Sequence, residues 1–264
     1  MVAVRPKPRN CGSFSRSKQA KQIGKKVLSD KAYPQATLCA AKERPFTAEW
    51  YASRREIKDV VSFYRLLLVN RKLLDQLSQK LGKSAERRQY SGLIVHMRVA
   101  RVIESLGKCV NTSKQIGHVS GIKVGDEFLW RGELSVVGLH HEFQRGIDCM
   151  KLINGKIMAT SIVDSGRYKN VMGSDKLVYC GEGENPTLGR GKKPKDQKLA
   201  GGNLALKTNM DEKMPVRVIR RINNDDGYKF IYEGLYCVDG YWKVRGEFDK
   251  LIYKFSLKKI EEHP

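Results

Sequence analysis

Apolar residues recur at three- and four-residue spacing in the first half of the chain. One such repeat runs from Arg54 to Leu81 and includes Val60, Phe63, Leu67, Leu74 and Leu77. The spacing predicts an amphipathic helix that ends at Gly82. A second helix is predicted from about Ala85 to Leu106, with one apolar face made of Leu93, Met97, Ala100 and Ile103. We expect a helical hairpin packed on the rest of the protein; the alternative is a dimerisation surface.

From Val124 onwards the period changes to that of β-strands. Seven short runs are rich in β-branched and aromatic residues: 127–139, 146–153, 157–164, 175–180, 215–221, 228–238 and 250–258. Turn sequences such as Asn154-Gly155 separate them. This spacing predicts a mostly antiparallel barrel or sandwich rather than a parallel sheet. The chain is therefore expected to be an α+β protein in which helices precede the strands.

The charge of the chain points to a polyanionic partner. Its 264 residues contain 50 Lys and Arg against 28 Asp and Glu, a formal net charge of +22. Nucleic acid is the first candidate for such an excess and an anionic membrane the second. Residues 1–31 hold nine of the basic residues and a single acid. We interpret 1–45 as a disordered basic tail, serving either solubility or nuclear import and DNA contact.

Other features argue against membrane insertion, secretion and catalysis. No apolar run reaches the roughly 18 residues of a spanning helix, and the first ten residues lack the apolar core of a signal peptide. The six cysteines form no CxxC pair and are interpreted as free thiols. His140 and His141 are adjacent, so on a strand they would face opposite sides and could not readily share a metal with Cys149. No catalytic residue, metal or cofactor is predicted.

The most informative segment is 179–206, which contains a basic loop at 184–195 loosened by glycines. The cations of this loop are Arg190, Lys192, Lys193 and Lys195. Long loops in compact domains are usually functional, and one so cationic would gain most beside phosphates. We call residues 184–195 the finger loop and expect it to contact the DNA backbone.

Four motifs in and around this loop resemble the SRA domain (SET- and RING-associated, also called YDG). They are GLH with GID at 138–148, DQKL with NLAL at 196–206, PVRVIR at 215–220 and YEGLY at 232–236. The stretch 107–128 is similar to the SRA-bearing histone-lysine methyltransferases of plants. The resemblance implies a PUA-like twisted β-barrel over 109–264, preceded by a helical region at 46–108. It further implies a nuclear chromatin protein that binds double-stranded DNA and flips 5-methylcytosine out of the duplex.

The resemblance also assigns a base pocket. Tyr168 and Tyr179 match the two tyrosines that sandwich the flipped base, and Asn170 stands where the family has an aspartate that accepts from the cytosine amine. Cys180 replaces a threonine. Because a neutral amide lacks the charge assistance of a carboxylate, we expect weakened selectivity for the methylated base. On this basis Asn170→Asp is expected to restore about fivefold discrimination.

A thumb loop is implied as well, with Gln144 filling the gap left by the base and Arg145 beside it reaching a phosphate. The leading hypothesis is thus a non-enzymatic reader of 5-methylcytosine. The alternative is a degenerate SRA protein, a methylation-insensitive DNA-binding or protein-interaction scaffold. The printed sequence ends at Pro264 without the cysteine-rich and SET regions of the methyltransferases, so no methyl transfer is expected. Histones are a further candidate partner, and the oligomeric state stays open.

Overall fold

The computed structural model describes residues 46–81, 92–166, 170–183, 195–225, 227–246 and 249–261. The basic tail predicted at 1–45 lies outside them. The helices are α1 Ala48–Val69, α2 Arg71–Lys80, α3 Gly92–Ser105, α4 Arg131–Val136 and α5 Gly202–Asp211. The strands are β1 Glu127–Phe128, β2 Ile147–Lys151, β3 Ile157–Asp164, β4 Val171–Met172, β5 Lys176–Cys180, β6 Val216–Asn224, β7 Gly227–Arg245 and β8 Leu251–Lys259.

The first predicted helix is two helices. The helix is interrupted at Asn70, whose backbone is not helical (φ −96°, ψ 79°). Its side-chain oxygen accepts a hydrogen bond from the Leu73 backbone N–H at 3.0 Å and so caps the start of α2. An asparagine side chain that caps the start of the next helix favours an interruption at its own position. The apolar spacing continues on both sides of Asn70, so the spacing alone predicts one helix.

Helix α4 corrects the predicted strand at 127–139. Only Glu127 and Phe128 are in a strand, and residues 131–136 are helical. Buried Glu133 helps to fix the change from strand to helix. Its carboxylate accepts hydrogen bonds from the Leu129 N–H at 2.7 Å and from Arg65 Nε at 2.8 Å. Gly132 packs so closely on α1 that an added Cβ would lie 2.1 Å from the Tyr64 hydroxyl oxygen. Both faces of this segment are buried, so no helical period shows in its sequence.

The eight strands form one sheet, in the order β2-β3-β6-β7-β8-β5-β4, with β1 paired to β7. The α+β class and the mostly antiparallel pairing are confirmed; β3 and β6 are parallel. The sheet path ends at β2 and β4, so the expected barrel is an open one. Long β7 reaches across the sheet, because it pairs with β6 through its first half and with β8 through its second.

Two hydrophobic clusters hold this arrangement together. The first joins the helices to the sheet, since Tyr64 and Leu67 of α1 and Ile103 of α3 share it with Ile219 and Tyr232 of the strands. The second lies under α5 and includes Leu206, Val218 and Phe255. The helices thus bury their apolar faces against the sheet, as packing of an amphipathic face requires. Between helices and sheet a cavity remains open, and the candidate site lies there.

Candidate nucleic-acid interface

A cavity of about 850 Å³ opens between the helical region and the sheet. Its size falls within the roughly 300–1,000 Å³ typical of ligand sites. Five residues assigned to the pocket or thumb from the sequence line it: Gln144, Arg145, Asn170, Tyr179 and Cys180. The structure therefore brings the thumb and one wall of the predicted base pocket together at a single opening.

Tyr179 supplies the buried wall of the cavity. It lies on β5 opposite Phe255 of β8, and only 4% of its surface is exposed. Burial raises the pKa of its hydroxyl well above the usual range, so it is neutral at physiological pH. An added Cβ at Gly146 would lie 2.5 Å from this hydroxyl oxygen, so only glycine fits beside it. The ring of Tyr179 thus directly abuts the base of the thumb.

Asn170 is held by two hydrogen bonds of opposite polarity. Its Nδ2 donates to the Oδ1 of Asp164 at 2.8 Å, and its Oδ1 accepts from the Cys180 backbone N–H at 2.7 Å. The same Asp164 oxygen accepts from the Gly166 N–H at 3.0 Å. Asp164, at the end of β3, is 9% exposed. The SRA resemblance leads one to expect a carboxylate at position 170. In this chain a carboxylate lies next to the Asn170 amide, but it belongs to Asp164, six residues earlier.

The backbone of the thumb, residues 143–146, is fixed by two donors, partly buried Arg131 and buried His140. The Arg131 guanidinium donates to the Phe143 and Arg145 carbonyl oxygens, with its Nη2 at 2.9 Å from the latter. His140 Nε2 donates to the same Arg145 oxygen at 3.1 Å, while its Nδ1 accepts from the Ser161 hydroxyl at 2.8 Å. Burial lowers the pKa of His140 to about 3, so the ring is neutral. His140 thus positions the thumb, in keeping with a structural role for GLH.

Arg145 itself is paired with a carboxylate. Its guanidinium nitrogens lie 2.5 and 3.3 Å from the two oxygens of Glu182, just after β5. One of these oxygens also accepts from the Gly202 N–H at 2.7 Å, at the start of α5. The ion pair raises the pKa of Arg145 further and ties the thumb to the strand that leads into the finger loop. A phosphate contact by Arg145 must therefore compete with Glu182, which the sequence did not suggest.

The DQKL and NLAL motifs anchor both ends of the finger loop. Gln197 Nε2 donates to the Gly181 carbonyl and its Oε1 accepts from the Tyr253 N–H, both at 2.8 Å. The side chain of Asn203 accepts from the Glu182 N–H at 2.8 Å and donates to the Glu182 and Lys198 carbonyls. These amides join residues 181–182 to residues 197–203, on either side of the finger loop.

GID and PVRVIR supply two buried charges that brace the region. Asp148 accepts from Lys114 Nζ at 2.5 Å and from the His141 N–H at 2.9 Å. Burial alone would raise its pKa, but the hydrogen bonds from His141 and Lys114 hold that pKa well below the usual range. Arg217, fully buried, donates to the carbonyls of 115, 117 and 139, and burial lowers its pKa to about 10.

The remaining predicted residues have different outcomes. Tyr168, Arg190, Lys192 and Lys193 lie outside the residues that the structure describes. Lys195 is exposed at the end of the finger loop. Sequence reasoning missed Asp164 and Glu182, although both directly follow or end a predicted strand, where site residues collect. It also missed an aromatic group on the far side of the cavity, in which Trp130 stacks on His96 at 3.9 Å and meets Tyr228 edge-on at 6.0 Å.

Two further classes of site are not found in the described ranges. There, no helix is long and apolar enough to cross a membrane. No three His, Cys, Asp or Glu side chains in those ranges converge as metal ligands would.

In the described residues, an open sheet, a helical region and the thumb surround one cavity. Residues 115–263 match the SAD/SRA domain, and the chain belongs to this family.

Two curated relatives come from Arabidopsis thaliana. The H3 lysine-9-specific histone-lysine N-methyltransferase SUVH5 is 44% identical over 176 residues, which are 62% of this chain and 22% of that protein. A YDG domain-containing protein is 43% identical over 169 residues, 63% of this chain and 51% of that protein. The chain thus spans between about a fifth and a half of these relatives.

Two solved structures carry the comparison to DNA. The SRA domain of SUVH5 in complex with fully methylated CG DNA is 48% identical, with a TM-score of 0.51 over 57% of this chain and 97% of that one. KRYPTONITE in complex with mCHG DNA and SAH is 27% identical, with a TM-score of 0.65 over 82% of this chain and 44% of that one.

Proposed function

We propose that the chain is a non-enzymatic chromatin module that binds duplex DNA and reads 5-methylcytosine by taking the base into the cavity beside Tyr179. The observation that carries this proposal is the convergence of thumb and pocket wall on one cavity, in a family whose SUVH5 member has been solved with methylated DNA. The nucleus is the compartment in which such a partner is found.

The cavity meets the physical needs of an extruded base. Tyr179 offers a rigid aromatic face, and stacking on such a face is worth about 1–3 kcal/mol per base. Asn170 offers hydrogen-bonding groups at the opening of the same wall. Exposed Gln144 lies at the tip of a braced thumb, where its amide is suited to the partner base left in the duplex. The finger loop and a net charge of +22 supply attraction to phosphates.

A cavity-blocking variant tests the proposal. Exposed Ala200 lines the cavity, and Ala200→Trp places a large side chain at its rim. Binding of the full chain to duplexes that differ only in 5-methylcytosine is measured at about 50 and 200 mM salt. We expect the native chain to bind both with steep salt dependence and to prefer the methylated duplex. Ala200→Trp should keep the salt dependence and lose the preference.

Ile153→Trp is the matched control, since Ile153 is fully exposed in the turn between β2 and β3. It should behave as the native chain does. Equal affinity of the native chain for both duplexes would contradict reading of the methyl group and favour the methylation-insensitive scaffold. A flat salt titration would contradict DNA binding altogether, since each neutralised phosphate contributes about −0.9 to the log–log slope.

A further inference from the structure

Among the residues that the structure describes, Asp164 is the carboxylate in contact with Asn170, the reading residue of the proposed pocket, and no motif assigns it a role. It ends β3, is almost fully buried, and accepts a 2.8 Å hydrogen bond from Asn170 Nδ2. On the other side of the amide, the Cys180 backbone N–H donates to Oδ1 at 2.7 Å. An ionised carboxylate only accepts and a backbone N–H only donates. The two contacts therefore permit one orientation of the amide and oppose its reverse.

This orientation matters because an asparagine amide is otherwise ambivalent. It presents an acceptor and a donor side by side, and a 180° turn exchanges them. The edge of cytosine offers the N4 amine as a donor beside the N3 acceptor, whereas thymine offers the O4 acceptor beside an N3–H donor. A freely turning amide can match either base. An amide held at both ends can match only one.

We propose that Asp164 determines base specificity by locking the Asn170 amide in the orientation that pairs with cytosine and rejects thymine. The proposal rests on the proposed function, because it concerns the same cavity. Beyond its two contacts with described residues, Asn170 has a second lone pair on Oδ1 and a second hydrogen on Nδ2. Either pyrimidine edge needs one acceptor and one donor, and the lock fixes the order in which the amide offers them. Asp164 is thus a positioning residue that acts through Asn170.

The lock matters in particular for 5-methylcytosine. Thymine carries the same ring methyl group and differs from 5-methylcytosine only at position 4 and at the N3 proton. A pocket that reads the methyl group alone would accept both. Discrimination between the two must therefore come from the polar edge, which in this chain is a neutral amide whose direction Asp164 sets.

The experiment compares 5-methylcytosine with thymine, each placed opposite an abasic site in otherwise identical duplexes. Neither base is then paired, so the cost of extrusion is matched. We expect the native chain to prefer 5-methylcytosine by about tenfold, the scale of one good base-edge pair. Asp164→Ala removes the acceptor and should reduce this preference to about threefold or less. Asp164→Asn retains an acceptor oxygen and should keep most of it.

The two variants separate positioning from charge. If Asp164→Asn loses the preference to the same degree as Asp164→Ala, the charge and not the lock is responsible, and the proposal is wrong. Unchanged preference in a folded Asp164→Ala also overturns it. So does a native chain that binds 5-methylcytosine and thymine equally, a result that needs no variant to fold. Failure of the native chain to bind any of these duplexes would instead contradict the proposed function.

Discussion

Asn170→Asp is the substitution in which sequence and structure lead to different expectations. From the sequence it restores the family carboxylate and sharpens selectivity. In the structure it places a second carboxylate against Asp164, because the Nδ2 that it replaces lies 2.8 Å from Asp164 Oδ1. The favourable contact becomes a repulsive one, while the hydrogen bond from the Cys180 N–H is kept.

The magnitude follows from that distance. Two unit charges about 2.8 Å apart repel by about 6 kcal/mol at an effective dielectric constant of 20. The two carboxyl groups can avoid this repulsion by keeping one proton between them. Keeping that proton costs about 1.4 kcal/mol for each pH unit above the ordinary aspartate pKa of about 4. Asn170 is also partly exposed, and solvent screens the charges. We therefore expect a loss of about 2 kcal/mol in the free energy of unfolding at pH 8.

The pH dependence identifies the cause. The folded pair holds a proton that the unfolded chain releases near pH 4, so the variant binds more protons when folded. Its stability relative to the native chain is therefore greatest at acid pH and falls as the pH rises towards 8. Denaturant titrations at pH 5 and pH 8 measure this difference, with the native chain run in parallel.

A double variant provides the decisive control. Asp164→Asn with Asn170→Asp lets the new amide at 164 donate to the new carboxylate at 170, although the Gly166 N–H then loses its acceptor. We expect it to recover part of the lost stability and to show the fivefold gain in methyl discrimination that the single substitution cannot. Equal stability of the single variant and the native chain at both pH values would refute the Asp164–Asn170 contact. A double variant as unstable as the sum of its single changes would do the same.

Further substitutions test three other parts of the site. Arg217→Met leaves the carbonyls of 115, 117 and 139 without their donors. It should lower the free energy of unfolding, measured by chemical denaturation, by at least about 3 kcal/mol. Arg217→Lys should not restore the stability, since one ammonium cannot reach all three carbonyls. The depressed pKa of His140, about 3 against about 6.5 unfolded, contributes stability above pH 6.5 that is lost as the pH falls towards 3. His140→Gln should therefore flatten that slope by up to about 1.4 kcal/mol per pH unit, and an unchanged slope would show that another group titrates there. The finger-loop cations are Arg190, Lys192, Lys193 and Lys195. Replacing all four with alanine should weaken binding to methylated and unmethylated duplexes equally and reduce the salt dependence of binding. A loss of affinity confined to methylated DNA would instead make the loop a base reader.

The elements that sequence reasoning predicted well are those with one dominant period. The run 157–164 is β3 to the residue, and the final alternating run at 250–258 is β8 within one residue. Helix α4 was missed because it is buried on both faces, which removes any period. The break at Asn70 was missed because a single side-chain cap, not a change of pattern, ends α1.

The candidate site, like the fold, was predicted from the sequence only in part. Resemblance located Asn170, Tyr179 and the thumb, all of which line one cavity. It did not reveal the partners that Asn170 and Arg145 find in Asp164 and Glu182. Those contacts join residues on different strands and loops, and no local pattern encodes which side chains will meet there. The charge state and orientation of a site residue follow from such contacts.

Extrusion of the base can be followed directly by fluorescence. A duplex carrying 2-aminopurine beside 5-methylcytosine brightens when the neighbouring base leaves the stack. We expect saturating protein to raise the fluorescence of the methylated duplex, to raise that of the unmethylated duplex less, and to have little effect on either when the cavity is blocked by Ala200→Trp. Saturated binding of the native chain to methylated DNA with no change in fluorescence would contradict base flipping into the cavity, and with it the central claim.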